Sequence, residues 1–148
     1  MKRTKSIALF LTALLSFIVG CGTALAPKVI TIDDVDSEEL ARTAARNTAT
    51  GYYLVYYGTT NVPVITSCKK DGENHYTVYG KMTLTDNYGD KYTGKWSCGV
   101  TYDPNKAEEI LRENTITEKD IDEKGWYEYF KDAIDTDRGA DWGVPYKD

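Results

Sequence analysis

Histidine and clustered cysteines are scarce in this chain. One histidine, His75, and three cysteines occur among its 148 residues. A protein zinc site takes three or four ligands, and structural zinc sites usually contain closely spaced cysteine pairs. No Cys-x-x-Cys spacing exists in the sequence. We therefore expect neither a metal centre nor another cofactor.

The residues that nucleophilic catalysis needs are equally sparse. His75 stands at the polar start of an alternating segment, and no serine has the context of a nucleophile elbow. Carboxylates are abundant, but no spacing singles out a glycosidase-like pair. Residues 135–141 resemble a calcium loop, yet Gly139 and Ala140 replace an oxygen ligand and the loop glycine. We expect His75 to be a surface residue and the protein not to be an enzyme.

Positive charge is also in deficit. The chain has 18 Lys and Arg against 23 Asp and Glu, which gives a net charge of −5. Nucleic-acid binding depends on Lys and Arg contacts to phosphates, so we expect no nucleic-acid partner. The length is that of one domain with a modest core.

Long apolar runs are limited to residues 7–19, which follow Lys2, Arg3 and Lys5. A basic start, a short apolar run and a small residue before the cut are typical of an export signal. The run is shorter than the roughly 20 residues of an ordinary membrane-spanning helix. We therefore predict a signal peptide over residues 1–20.

The signal ends in Ile18-Val19-Gly20-Cys21, which resembles the bacterial lipobox. The resemblance implies that Cys21 receives a diacylglyceryl lipid, becomes palmitoylated and starts the mature lipoprotein. Two or more acyl chains give stable attachment, so we expect a lipid-anchored protein on the extracytoplasmic side of the cell envelope. Gly22 after the cysteine is compatible with the outer membrane, if the cell has one. The alternative is a cysteine that happens to lie in an ordinary signal or an uncleaved anchor.

Two cysteines remain, Cys68 and Cys98. An even pair in an exported chain predicts a disulfide bond, which we expect between them. The alternative is two free buried thiols.

The rest of the chain divides into a tether over residues 21–35, a single α+β domain over 36–134 and a flexible acidic tail over 135–148. Asp36 and Glu39 have the spacing of a helix cap. An apolar face with several alanines follows, and we predict that this helix ends before Gly51. Tyr52 to Tyr57 is β-prone and predicts a strand, and residues 62–68 predict an edge strand.

The clearest pattern is a hairpin. Residues 75–85 and 91–102 both alternate between apolar and polar side chains around an Asn- and Gly-containing turn. If Leu84 faces Tyr92, Trp96 covers Gly80. Asp103-Pro104 and Thr117 predict two helix starts, and an aromatic helical patch follows from Trp126. The predicted fold is α+β, with an N-terminal helix packed on an antiparallel sheet of three to four strands, followed by C-terminal helices and a loose tail.

The first helix and the hairpin, residues 37–102, are similar to a broad group of small bacterial secreted and lipoprotein domains. The matching motifs are Tyr76-Thr77-Val78-Tyr79-Gly80, Asn87-Tyr88-Gly89 and Trp96-Ser97-Cys98-Gly99-Val100. A proline that often precedes the first strand in that group is missing here, where Asn47-Thr48-Ala49-Thr50 stands. The resemblance implies a helix packed on an antiparallel sheet and implies no function.

Tyrosine is the abundant aromatic residue, with 12 Tyr against three Phe and three Trp. Tyrosine is enriched at protein contacts and suits half-wet surfaces, although it also replaces Phe in thin cores. We expect an interaction module that presents a Tyr-rich surface to a protein partner, as an inhibitor, receptor blocker or envelope-complex subunit. The alternatives are a carbohydrate- or peptidoglycan-binding lipoprotein and, third, an envelope enzyme. The candidate surface residues are Tyr52, Tyr53, Tyr56, Tyr57, Tyr79 and Tyr88.

Overall fold

The computed structural model describes residues 26–148, so the signal peptide, Cys21 and the first residues of the tether lie outside the described part. Helix α1, Ser37–Tyr57, packs on one face of an antiparallel sheet. The sheet contains β1 (Val64–Lys70), β2 (His75–Thr85), β3 (Lys91–Tyr102), β4 (Ile134–Thr136), β5 (Asp141–Trp142) and β6 (Tyr146–Lys147). The predicted α+β class, with a helix on an antiparallel sheet, is confirmed.

Helix α1 begins as predicted but continues past Gly51. The carboxylate of Asp36 accepts a hydrogen bond from the Glu39 backbone N–H, which caps the first turn. The helix ends at Gly58, whose φ of 65° is the left-handed conformation that glycine adopts readily. The predicted strand over residues 52–57 is therefore wrong. Ala49 and Tyr53 extend the buried stripe in steps of four, and burial against the sheet outweighs β propensity.

The β2–β3 hairpin has the predicted bounds and register. Leu84 pairs with Tyr92, and Gly80 pairs with Trp96. Trp96 is 2% exposed, and a Cβ atom on Gly80 would lie 2.2 Å from its Cζ2 atom. Glycine at position 80 thus makes the space that the indole occupies. The buried face of this hairpin and the alanine-rich stripe of α1 together form the core.

Three short helices follow the hairpin: α2 (Pro104–Glu113), α3 (Glu118–Lys124) and α4 (Trp126–Phe130). Asp103 caps α2 by accepting hydrogen bonds from backbone N–H groups, and Pro104 occupies its first turn, where no N–H is needed. Thr117 forms a capping box at the start of α3, and Gly125 ends that helix. The predicted helix starts are confirmed.

The predicted loose tail is instead part of the sheet. Strands β4, β5 and β6 all pair with β3, so the sheet has six strands within residues 26–148 rather than three to four. Trp142 makes an aromatic contact with the buried Trp96, and the two ring centroids lie 6.0 Å apart. A Cβ atom on Gly143 would lie 1.9 Å from the Lys95 carbonyl oxygen, so only glycine allows this close approach. Contacts with β3 hold this segment on the sheet. These contacts cannot be inferred from the polar composition of the segment.

The described end of the predicted tether also packs on the domain. Ile30 is 6% exposed, and its backbone N–H donates a hydrogen bond of 2.8 Å to the Ile116 carbonyl. Val29 forms an isolated antiparallel bridge with Thr117. Residues 29–35 therefore belong to the domain, because Ile30 and Ile116 bury each other's apolar surface.

The predicted disulfide is not formed. Cys68 and Cys98 are free thiols, and each pairs with Val78, from opposite sides of strand β2. Adjacent strands lie about 4.8 Å apart, which separates the two Cα atoms by about 10 Å. A disulfide needs Cα atoms within about 7 Å, so this register excludes the bond. Burial raises the pKa of the Cys98 thiol to about 11.

Candidate functional site

A group of exposed apolar side chains lies at the C-terminal end of α1 and in the loop that follows it. We call it the helix-end surface. It accounts for five of the 11 large hydrophobic residues that are exposed in the described part of the chain. Isolated exposed apolar residues are normal, whereas a contiguous group indicates a contact site. Its members are Leu54 (49% exposed), Val55 (76%), Tyr56 (69%), Tyr57 (37%) and Val62 (67%).

Helical periodicity places three of these residues in water. Ala45, Ala49 and Tyr53 form the buried stripe of α1, so Leu54, Val55 and Tyr56 turn away from the sheet. Sequence reasoning missed Leu54 and Val55 because it assigned them to a strand. The spacing of four between Ala45, Ala49 and Tyr53 is the signal that would have found them.

A stack of aromatic rings connects this surface to the sheet. Tyr52 is half-buried and stacks on Trp142, with ring centroids 5.2 Å apart and an interplanar angle of 20°. Tyr56 lies over Tyr52 at 4.6 Å. These contacts limit the rotamers of Tyr56, so a partner that binds it immobilises little additional side-chain freedom.

Tyr53, a predicted surface residue, belongs to the core instead. Its ring is fully buried, and its hydroxyl donates a hydrogen bond of 3.0 Å to the Gly143 carbonyl. Burial raises its pKa to about 12. Tyr53 thus joins α1 to the segment that carries β5, and it is unavailable to a partner.

A groove of about 500 Å³ adjoins the helix-end surface. The side chain of Asn61 donates a hydrogen bond of 2.9 Å to the Thr83 carbonyl, which fixes the loop after α1 against the hairpin. Asp86 accepts hydrogen bonds from the Tyr92 hydroxyl and from two backbone N–H groups of the hairpin turn. The groove is lined by Tyr57, Gly58, Thr59, Thr60, Asn61, Leu84, Thr85, Asp86 and Tyr92.

The remaining two candidate tyrosines lie elsewhere. Tyr88 is at the tip of the β2–β3 turn and is 93% exposed. Tyr79 is 41% exposed on the face of the sheet that α1 does not cover. The six predicted tyrosines therefore do not form one surface, although four of them cluster around the end of α1.

His75 joins three segments through two carboxylates. Its Nδ1 atom hydrogen-bonds Asp71, and its Nε2 atom lies 3.0 Å from an Asp137 oxygen. Hydrogen bonds with Asp137 and Asp71 raise the pKa of His75, while a hydrogen bond from Thr77, followed by that from His75, lowers the pKa of Asp71. Both ring nitrogens of His75 therefore have a carboxylate partner. The cluster connects the β1–β2 turn to the segment after β4.

The acidic residues of the calcium-like segment are distributed along β3. Asp135 pairs with Thr101, Asp141 pairs with Ser97, and Asp137 contacts His75. Among residues 26–148, no group of three or more His, Cys, Asp or Glu side chains is arranged to hold a metal ion. Because this segment runs along β3, its carboxylates lie at separate points along the strand and do not surround one position.

Cys21, the predicted lipid attachment residue, lies outside the described residues. Within residues 26–148, no helix has both the length and the apolar character to cross a membrane. Comparisons with models of known protein families, with curated proteins and with solved structures find no match for this chain.

Proposed function

We propose that this protein is a lipid-anchored, extracytoplasmic interaction module that binds a protein partner through the helix-end surface. The observation that carries the proposal is the exposure of Val55 and Tyr56, at 76% and 69%, at the C-terminal end of α1. Apolar side chains kept in water have a cost that a partner relieves. The proposed role is one of binding and not of catalysis.

The composition of the surface favours a protein partner. Protein interfaces are enriched in tyrosine and depleted of charged residues at their centres. The run from Leu54 to Tyr57 contains no charged residue. Energetically dominant contacts are typically aromatic residues at the centre of such a patch, so Tyr56, supported by Tyr52, is the anchor that we propose.

The lipid anchor is part of the proposal. The Ile18-to-Cys21 junction supports attachment of the mature chain to the envelope membrane, with the domain on the extracytoplasmic side. The net acidic chain has no electrostatic attraction to anionic headgroups. Anchoring confines the helix-end surface to the neighbourhood of envelope proteins, which raises its effective concentration toward them.

Site-specific photocrosslinking in cells tests the proposal. A photoreactive benzoylphenylalanine at Val55 should form a discrete crosslinked adduct, and the same residue at Glu109, which is exposed on α2, should not. Val55→Ser combined with Tyr56→Ser should abolish co-purification of the crosslinked partner without changing the circular dichroism spectrum. Equal crosslinking from both positions would refute a specific surface at the end of α1.

A second candidate function is carbohydrate binding in the groove beside the helix-end surface. Tyr57 and Tyr92 supply aromatic faces, and Asn61 and Asp86 supply polar groups, which is the combination that sugar sites use. Specific retention on a glycan array, lost in Tyr57→Ala and kept in Val55→Ser, would favour this function. Retention of no glycan would leave protein binding as the only proposed function.

A further inference from the structure

Strand β1 is an uncovered edge of the sheet. It pairs with β2 on one side, and nothing in the described part of the chain pairs with its other side. The opposite edge is made of short pieces, β4 with three residues and β5 and β6 with two each, whereas β1 has seven. A long free edge presents unpaired backbone N–H and C=O groups that another strand can use.

Lysines lie beside this edge on the open face of the sheet, which is the face that α1 does not cover. Val64 of β1 pairs with Lys81, and Lys81 pairs in turn with Lys95, so two like charges lie directly opposite each other. Such a pair is unfavourable in isolation. Both are exposed, and neither forms an ion pair with any acid in the described residues. Lys69 is exposed on the same face, farther along β1.

A cavity of about 380 Å³ lies between the edge and the two opposed lysines. It occurs where the β1–β2 register shifts between Ile65 and Ser67. Tyr79, 41% exposed, borders it, and Thr66 and Ser67 of β1 contribute to its wall. This cavity is large enough to receive a side chain from a strand that lies along β1.

From these features we infer that β1 binds an extended, acidic segment of a partner protein, which adds to the sheet as a further strand. Backbone hydrogen bonds supply the general affinity, and acidic side chains near Lys69 and Lys81 supply the specificity, with Lys95 adding to the positive charge behind them. This surface is separate from the helix-end surface and has a different partner chemistry, so it extends the proposed interaction role and does not depend on Val55 or Tyr56.

Charge decides against two other occupants. Strand β1 contains Lys69 and Lys70 and no acid, so a second copy of β1 supplies no carboxylate from within the strand to pair with them. Residues 1–25 contain no acid, so the chain's own N-terminal segment has no carboxylate to offer these lysines. An acidic segment is the occupant that this edge selects.

Peptide binding to the full chain in non-ionic detergent tests the inference by fluorescence polarisation. The probes are three labelled decapeptides: alternating Glu and Val, alternating Lys and Val, and the Glu/Val peptide N-methylated at its four central amides. We expect the unmodified Glu/Val peptide to bind at least about tenfold more tightly than the other two. Equal binding of the N-methylated peptide would show charge attraction alone and would overturn strand addition.

Matched charge reversals complete the experiment. Lys81→Glu with Lys95→Glu should weaken Glu/Val binding about tenfold or more, whereas Lys106→Glu with Lys131→Glu, also exposed lysines, should change it less than about twofold. An equal loss in both double variants, or no binding of the Glu/Val peptide, overturns the inference. Self-association of the chain, lost in Lys81→Glu with Lys95→Glu, would assign the edge to a second copy and overturn it as well.

Peptide binding at β1 can be tested independently of partner binding at the helix-end surface. Val55→Ser with Tyr56→Ser should leave Glu/Val binding unchanged, because these residues lie at the end of α1 and not on β1. Loss of peptide binding in that variant would place the peptide on the helix-end surface and refute the assignment to β1.

Discussion

Trp96 is the residue whose removal should damage the fold most. It is 2% exposed, covers Gly80 and contacts Trp142. Burying about 200 Å² of aromatic surface at about 25 cal/mol per Å² stabilises by about 5 kcal/mol. Its indole N–H has no hydrogen-bond partner in the described part of the chain, and such a group costs about 1–3 kcal/mol in the native protein. We therefore expect Trp96→Ala to lose about 3 kcal/mol.

The assay is urea denaturation followed by far-ultraviolet circular dichroism. A domain of this size has an expected stability of about 5–15 kcal/mol, so a loss of about 3 kcal/mol is a large shift in midpoint. Trp96→Phe should lose less than Trp96→Ala, because it retains a ring over Gly80 and removes the unpaired N–H. Lys95→Ala is the matched control, since Lys95 is the neighbouring residue on the open face, and it should change stability by less than about 0.5 kcal/mol.

The reasoning is refuted if Trp96→Ala and Lys95→Ala have equal, small effects. That result would mean that the two faces are exchanged, as a slip of one residue in the register would cause. A Trp96→Phe variant less stable than Trp96→Ala would contradict the account of the indole ring and its N–H group.

Three other measurements test separate parts of the structure. Alkylation of unreduced, unfolded protein should label both Cys68 and Cys98, and an intact mass that shows a bridge between them would contradict the β1–β2–β3 register. The raised pKa of His75 means that its contacts stabilise the fold fully below pH 6.5 and that this contribution is lost as pH rises through the folded-state pKa. Thermal melts should therefore show a fall in stability as the pH rises above 6.5 through the folded-state pKa of His75. The fall should be absent in His75→Ala, and an identical pH profile in that variant would refute the linkage. Cys21→Ala should eliminate metabolic labelling with a palmitate analogue, and label retained by that variant would place the lipid on another residue.

Elements governed by local rules could be predicted from the sequence. The hairpin follows from strict alternation around a short turn, and its register follows because the turn determines which residues face each other. Helices α2 and α3 begin at Asp103-Pro104 and Thr117, where side chains satisfy the first backbone N–H groups of each helix. Each of these signals lies within a few residues of the structure that it determines.

The candidate site was predicted only in part, for a physical reason. Tyr56 and Tyr57 were identified by composition, but their grouping with Leu54, Val55 and Val62 requires that residues 52–57 be helical. Local propensity favours a strand there. The helix prevails because Tyr53 reaches the core and Tyr52 stacks on Trp142, which is far away in sequence.

The sequence by itself determined the hairpin register and the helix caps, because each depends on side-chain patterns within one short segment. The export signal, predicted from the same kind of local pattern, stays a prediction. Only the tertiary structure decided three other properties: the course of residues 134–148 along β3, the separation of Cys68 from Cys98 by strand β2, and the edge of β1 that no described residue pairs with. Each depends on which distant segments pack together. Burial of apolar surface determines that packing, and its free energy does not depend on how far apart the residues are in the sequence.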